Sequence, residues 1–188
     1  RAAALVADAL AWLGWKSPMR STSVAQLAAG VRGEAGAAER TLGVRMRPLA
    51  ELLAADPAGV QDRWFAALYL LKPLVVAGLA GFWLLSGLIG FWRADAAATV
   101  LAEAGFDPAS ARLAVLAGAA ADVALGAAAC HRRTARPALY GMLAVTAAYL
   151  AGATLWRPDL WADPLGPLVK SLPAAILALV ALALLPER

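Results

Sequence analysis

The sequence predicts an all-α protein: a four-helix transmembrane bundle with a short helical N-terminal segment on its cytoplasmic side. Three observations carry this expectation. The 188 residues are 62% hydrophobic and only 16% charged, whereas soluble domains average about 45–50% and about 25%. The charges are unevenly placed: residues 1–68 hold 8 basic and 6 acidic residues, while the 120 positions of residues 69–188 hold 16 charges, mostly between apolar runs. Four of those runs reach the roughly 20 residues that cross a hydrocarbon core. The same composition excludes disorder. One cysteine, Cys130, excludes a disulfide scaffold, and a net charge of +4, thinly scattered, excludes nucleic-acid binding.

Residues 1–62 read as a cytoplasmic helical collar. Leu5, Ala9, Trp12 and Leu13 share one face of an amphipathic helix that ends at Gly14. Ser21, Thr22 or Ser23 caps a second short helix reaching Ala29, before Gly30. Gly30, Gly33, Gly36 and Gly43 mark loops. Pro48 leads into a helix over Leu49–Ala55, and Asp56-Pro57 forms a cap and first helical position for a helix that continues into the first span.

Residues 63–188 read as the membrane domain. The spans are Leu70–Trp92, Ala111–Cys130, Ala138–Trp156 and Leu165–Leu185, and Pro73 is expected to kink the first. Arg132, Arg133 and Arg136 stand between the second and third spans with no acid, which places that connection in the cytoplasm. The other two connections are acid-rich and fit the outside, so both termini are cytoplasmic. Trp92, Trp156 and Trp161 then lie at the outer interface, and Trp64, Tyr69 and Tyr140 at the inner one.

Asp122 is the anomaly inside the membrane. A central Asp costs about 2.5–3.5 kcal/mol on insertion scales, several times what one Leu returns, and such residues usually face the bundle and find a partner. Ala114, Gly118, Asp122, Gly126 and Cys130 recur every four residues. They share one face, and Gly118 and Gly126 make that face narrow enough for close helix packing. Counting depth at 1.5 Å per residue places Asp122 about 16 Å below the outer end of its span. Lys170, Tyr149 and Ser86 fall at compatible depths. These four form an expected intramembrane polar cluster, with an Asp122–Lys170 ion pair at its centre. Such a cluster fixes helix register or serves a quinone head group or a proton; the third alternative is that Asp122 and Lys170 snorkel to opposite surfaces without contact. Pro173, one turn on, would free the Val169 carbonyl as a rival partner for Lys170.

Asp163, Pro164, Gly166 and Pro167 form an outer turn in which Asp163 caps the last span. Cys130 and His131 are the only Cys and His, too few for a zinc site without carboxylates, so no metal is expected. Gly78, Gly81, Gly87 and Gly90 lie within a span and read as packing residues, not as a phosphate-binding loop.

Four stretches together resemble the DoxX-like membrane proteins: Trp64–Pro73, Phe82–Gly90, Gly118–Gly126 and Leu160–Pro173. The last is the strongest match. The resemblance covers residues 63–188. Leu13–Arg20, Gly30–Gly33 and Arg47–Leu49 look like the junction in fusions where such a domain follows a short-chain dehydrogenase or epimerase-like domain. The resemblance implies a membrane domain at the inner membrane that anchors or couples an oxidoreductase-type partner, in cis or in trans. In that reading NAD(P) is bound only by an upstream domain and this chain holds no cofactor. The alternatives are a quinone- or thiol-linked redox subunit with its site at Asp122, and a small-solute or proton pathway. Whether the chain is catalytic, and whether it forms a homo-oligomer, both stay open.

Overall fold

The computed structural model describes residues 2–15, 17–30 and 34–185. Lys16 and Val31-Arg32-Gly33, which belong to the expected junction motif, lie outside the described residues. The chain divides into two compact units, Arg1–Leu68 and Tyr69–Arg188. The described residues form nine α-helices and one short 3-10 helix, with no strand among them.

The first unit holds α1 (Ala2–Trp12), α2 (Ser21–Ala29), α3 (Ala35–Leu42) and α4 (Leu49–Ala55). In α1 the buried residues are Ala4 and Ala7, while Leu5 and Trp12 are exposed, Trp12 at 90%. The expected apolar face is therefore the outward one, because the small Ala face is what lets α2 approach. Asp8 joins the two helices: its Oδ1 accepts from Arg20 Nε at 3.1 Å and from the Ser21 backbone N–H at 3.4 Å. That carboxylate supplies the acceptor for the start of α2, and no side chain of the Ser21-Thr22-Ser23 run caps it. Helix α3 replaces an expected loop. Gly36 lies inside it, and Gly43 (φ 64°) ends it in the left-handed conformation that glycine adopts without strain.

Helix α5 (Val60–Trp92) starts later than Asp56-Pro57 suggests. Asp56 instead follows the end of α4, and the Gly59 N–H donates to Asp62 Oδ2 at 2.8 Å. This is the return half of a capping box, so the helix start is set by a residue inside the helix.

In the second unit α5 is followed by α6 (Ala94–Glu103), α7 (Pro108–Cys130), α8 (Arg132–Trp156), the 3-10 turn Pro158–Trp161 and α9 (Pro167–Leu184). α5, α7, α8 and α9 are the four described helices long and apolar enough to cross a membrane. Only 17–22% of each spanning window is buried. Phe82, Leu85, Leu88, Ile89, Ile176 and Leu179 point outward, a surface that suits lipid rather than water. The core sits towards the end where α7 passes into α8. There Leu79, Ala80 and Trp83 of α5 meet Ala129 of α7, Leu139 and Met142 of α8, and Ala178 and Ala181 of α9.

Local chemistry explains the ends of the spans. Asp107 caps α7 by accepting from Ser110 N–H at 3.1 Å, and Pro108 takes the first helical position. His131 Nδ1 accepts from Arg133 N–H at 3.2 Å and caps α8, and Thr134 donates back to the Ala128 carbonyl at 2.6 Å. The single histidine is thus a helix cap in the turn between two spans.

Candidate functional site

Asp122 is 6% exposed, in the middle of α7. Ser86 of α5 donates its hydroxyl to Asp122 Oδ2 at 2.9 Å, and Tyr149 of α8 donates to Oδ1 at 3.1 Å. Three helices thus meet on one carboxyl group. Glycines set the spacing. A Cβ on Gly118 would stand 2.7 Å from the Tyr149 hydroxyl oxygen. A Cβ on Gly126 would stand 2.8–3.0 Å from Leu84 and the Ala80 carbonyl, and one on Gly87 2.6 Å from the Ala119 carbonyl. The first glycine makes room for a side chain, and the other two let the α5 and α7 backbones close on each other.

Above this carboxyl lies a cavity of about 560 Å³, inside the usual range of about 300–1,000 Å³ for small-molecule sites. Ser86, Asp122 and Tyr149 form its polar floor, and Ala114, Val115, Gly118 and Ala148 are among its wall residues. Its roof comes from Val100 and Leu101 of α6 and Ala104 just beyond it, with Phe106, Trp156 and Leu160. A smaller cavity of about 140 Å³ is lined by the same three floor residues together with Thr146 and Ser171.

Polar contacts fasten the roof. Arg157 donates from Nε and Nη2 to Asp159, at 2.8 Å in the shortest contact, and from Nη1 to the Val100 carbonyl at 3.1 Å; Glu103 lies 3.5 Å away. Arg112 and Asp95 join α7 to α6 at 2.9 Å. Phe106 and Trp156 meet edge to face at 5.4 Å, and Trp161 Nε1 donates to Thr154 at 3.0 Å, holding the 3-10 turn on α8. The hydrogen bonds from Arg157 hold the Asp159 carboxyl below the usual carboxylate range, and Asp159 in return raises the guanidinium further.

A family model for the DoxX-like family matches residues 80–179. The chain belongs to the DoxX-like family. The match runs from within α5 to within α9 and contains the floor and roof of the large cavity. Trp64–Pro73 and the whole first unit lie outside the matched residues. No curated protein and no solved structure matches this chain.

Of the four residues expected to converge in this DoxX-like domain, Ser86, Asp122 and Tyr149 come together. Lys170 does not join them. It is exposed on α9, and among the described residues no ion pair links it to Asp122. The neighbouring Ser171 takes the inward position and lines the small cavity. A compatible depth, bridged by a long side chain, would let Lys170 reach Asp122, but Lys170 is exposed on α9, and a depth count carries no rotation. The outer turn also differs in detail. Asp163 accepts from Leu165 N–H at 2.7 Å and closes the turn. Gly166 (φ 59°) is the residue before the helix, no side chain caps it, and Pro167, not Pro164, occupies the first turn. Gly78 and Gly81 face open space, while Gly87 and Gly90 are packed against α7.

The roof was not foreseen. Residues 93–107 read as an acid-bearing connection, yet they build α6, whose buried faces are Ala94 and Ala98. The available signal was an Ala-rich run free of Gly and Pro between Arg93 and Glu103.

The arrangement has a chemical consequence. Interhelical hydrogen bonds within membranes average about 0.6 kcal/mol. Two of them do not offset an insertion cost of about 2.5–3.5 kcal/mol for the Asp. An ionised carboxylate offers about four acceptor positions, and the two hydroxyls occupy two. The remaining capacity of Asp122 borders the cavities, so the group is placed to meet a ligand or a proton there.

Proposed function

We propose that the DoxX-like bundle is a small-molecule-binding membrane domain. It admits a lipid-soluble molecule to the 560 Å³ cavity and sets the polar end of that molecule against Asp122, between the hydroxyls of Ser86 and Tyr149. The observation that carries this is a buried acid, costlier than its own hydrogen bonds repay, on the floor of a largely apolar cavity. A quinone belongs to this class when Asp122 carries a proton to donate to it, which is the redox form of the proposal. A bundle acting only as an anchor has no need of such a cavity.

Coupling to an oxidoreductase-type partner, in cis or in trans, is the second part of the proposal. The first unit favours it, because Trp12, Leu27, Leu49 and Leu53 are all exposed there, a surface suited to a partner domain. The proposed setting is the cytoplasmic membrane with both termini inside, which the Arg132, Arg133 and Arg136 cluster supports.

Equilibrium dialysis of the detergent-solubilised chain against a benzoquinone with a decyl tail and a panel of lipid-soluble aromatic probes tests the central part. Saturable binding to the wild type that is lost in Ala114→Trp, which fills the cavity wall, is the expected result. Binding that is unsaturable, or that Ala114→Trp leaves untouched, contradicts it.

A further inference from the structure

We propose that the cavity over Asp122 takes a lipid-soluble organic cation, an apolar body bearing one positive charge. This rests on the small-molecule reading above and names the ligand class for the same cavity.

The charges on the lining decide the sign. Only Asp122 and Arg157 among its residues are charged. The Arg157 guanidinium is engaged by Asp159, Glu103 and the Val100 carbonyl. Asp159 and Glu103, which do not line the cavity, offset the Arg157 charge from outside it. Asp122 has hydroxyl partners but, among the described residues, no ion pair. The Asp122 end of the cavity therefore favours positive charge, and the apolar walls around it leave that field poorly screened.

Hydrogen-bond capacity points the same way. The Ser86 and Tyr149 hydroxyls both spend their protons on Asp122. With Asp122 ionised, the floor then consists of acceptors whose donors are used, and it offers an acceptor-only head group no hydrogen bond, leaving only the apolar walls to hold such a ligand. A cation needs no donor from the floor. The rings of Tyr149, Phe106 and Trp156 border the same space, and their negative faces attract a desolvated cation.

The test uses the full chain in detergent and three probes of similar bulk: tetraphenylphosphonium, neutral triphenylphosphine oxide and anionic tetraphenylborate. Tetraphenylphosphonium is expected to bind about tenfold tighter than either other probe, the scale set by one partly screened charge contact. Asp122→Asn is expected to remove that preference, bringing the affinity for the cation down to the level of the neutral probe measured in the same variant. Equal affinity for the cation and the neutral probe in the wild type overturns the proposal but leaves the small-molecule reading standing. A preference that survives Asp122→Asn also overturns it. Failure of all three probes, with the decyl benzoquinone, to bind overturns both. The wild-type comparison alone is decisive if the variant does not fold.

Discussion

The backbone of Gly118 passes so close to Tyr149 that a single added methyl group would stand 2.7 Å from the tyrosine hydroxyl oxygen. That hydroxyl is the one that reaches Asp122 from α8. Gly118→Ala is therefore expected to push Tyr149 off the carboxyl. Tyr149→Phe removes the same bond directly. Each variant should lower stability by about 0.5–1.5 kcal/mol, the usual worth of one such bond. The double variant should cost less than the sum, since the second change finds the bond already gone. Denaturation of the four proteins in one detergent measures this, and strict additivity would show that Gly118 does not act through Tyr149.

The glycines of α5 separate into two kinds. Gly87 meets the α7 backbone, and Gly126 of α7 meets Leu84 and Ala80. Gly87→Val and Gly126→Val should each cost about 1–3 kcal/mol through overpacking. Gly78 and Gly81 meet nothing within 4 Å, so Gly78→Ala and Gly81→Ala should be neutral or should stabilise by about 0.4–1 kcal/mol. Melting temperatures of the four variants check this. A large loss in Gly78→Ala would mean that its open face is covered by something else.

Period and composition made the membrane domain legible. Apolar runs marked all four spans, and Trp92, Cys130 and Trp156 end their helices where those runs end. Three of the four polar residues found each other because the small-residue face of α7 points inward. The signals that failed were rotational or local. Lys170 lies within side-chain reach of Asp122 by depth, but it is exposed on α9. Leu5 and Trp12 share a face in α1, yet Ala4 and Ala7 are the residues that pack. Helix α6 is too short and too charged at its ends to register as a span, so the roof of the cavity was invisible until the chain was folded.

Arg157 fastens that roof by bonding α6 through the Val100 carbonyl while it pairs with Asp159. Arg157→Ala should loosen α6 and lower the melting temperature at neutral pH. The folded pKa of Asp159 is depressed by Arg157. Its contribution is thus fully present above the ordinary carboxylate value of about 4 and fades as pH falls through the lower folded value. The gap between wild type and Arg157→Ala should accordingly narrow below about pH 4. Melting curves from neutral to acidic pH read this directly, and a gap that widens on acidification would contradict it.

The proposed orientation has its own check. In a Cys130→Ser background, Ala162→Cys in the outer turn should react with an impermeant maleimide added to intact cells. Arg136→Cys, in the basic turn region, should react only after the cells are opened. The reverse pattern would invert the topology.

The most direct measurement for the account as a whole is the reaction of dicyclohexylcarbodiimide, a lipid-soluble carboxyl reagent, with the chain in bilayers, mapped by peptide mass spectrometry. If Asp122 stands on the floor of a cavity open to lipid-soluble molecules, it is modified, and Ala114→Trp suppresses the adduct. Modification of interfacial acids such as Asp95 and Asp163 with none at Asp122, or an Asp122 adduct indifferent to Ala114→Trp, would contradict the account.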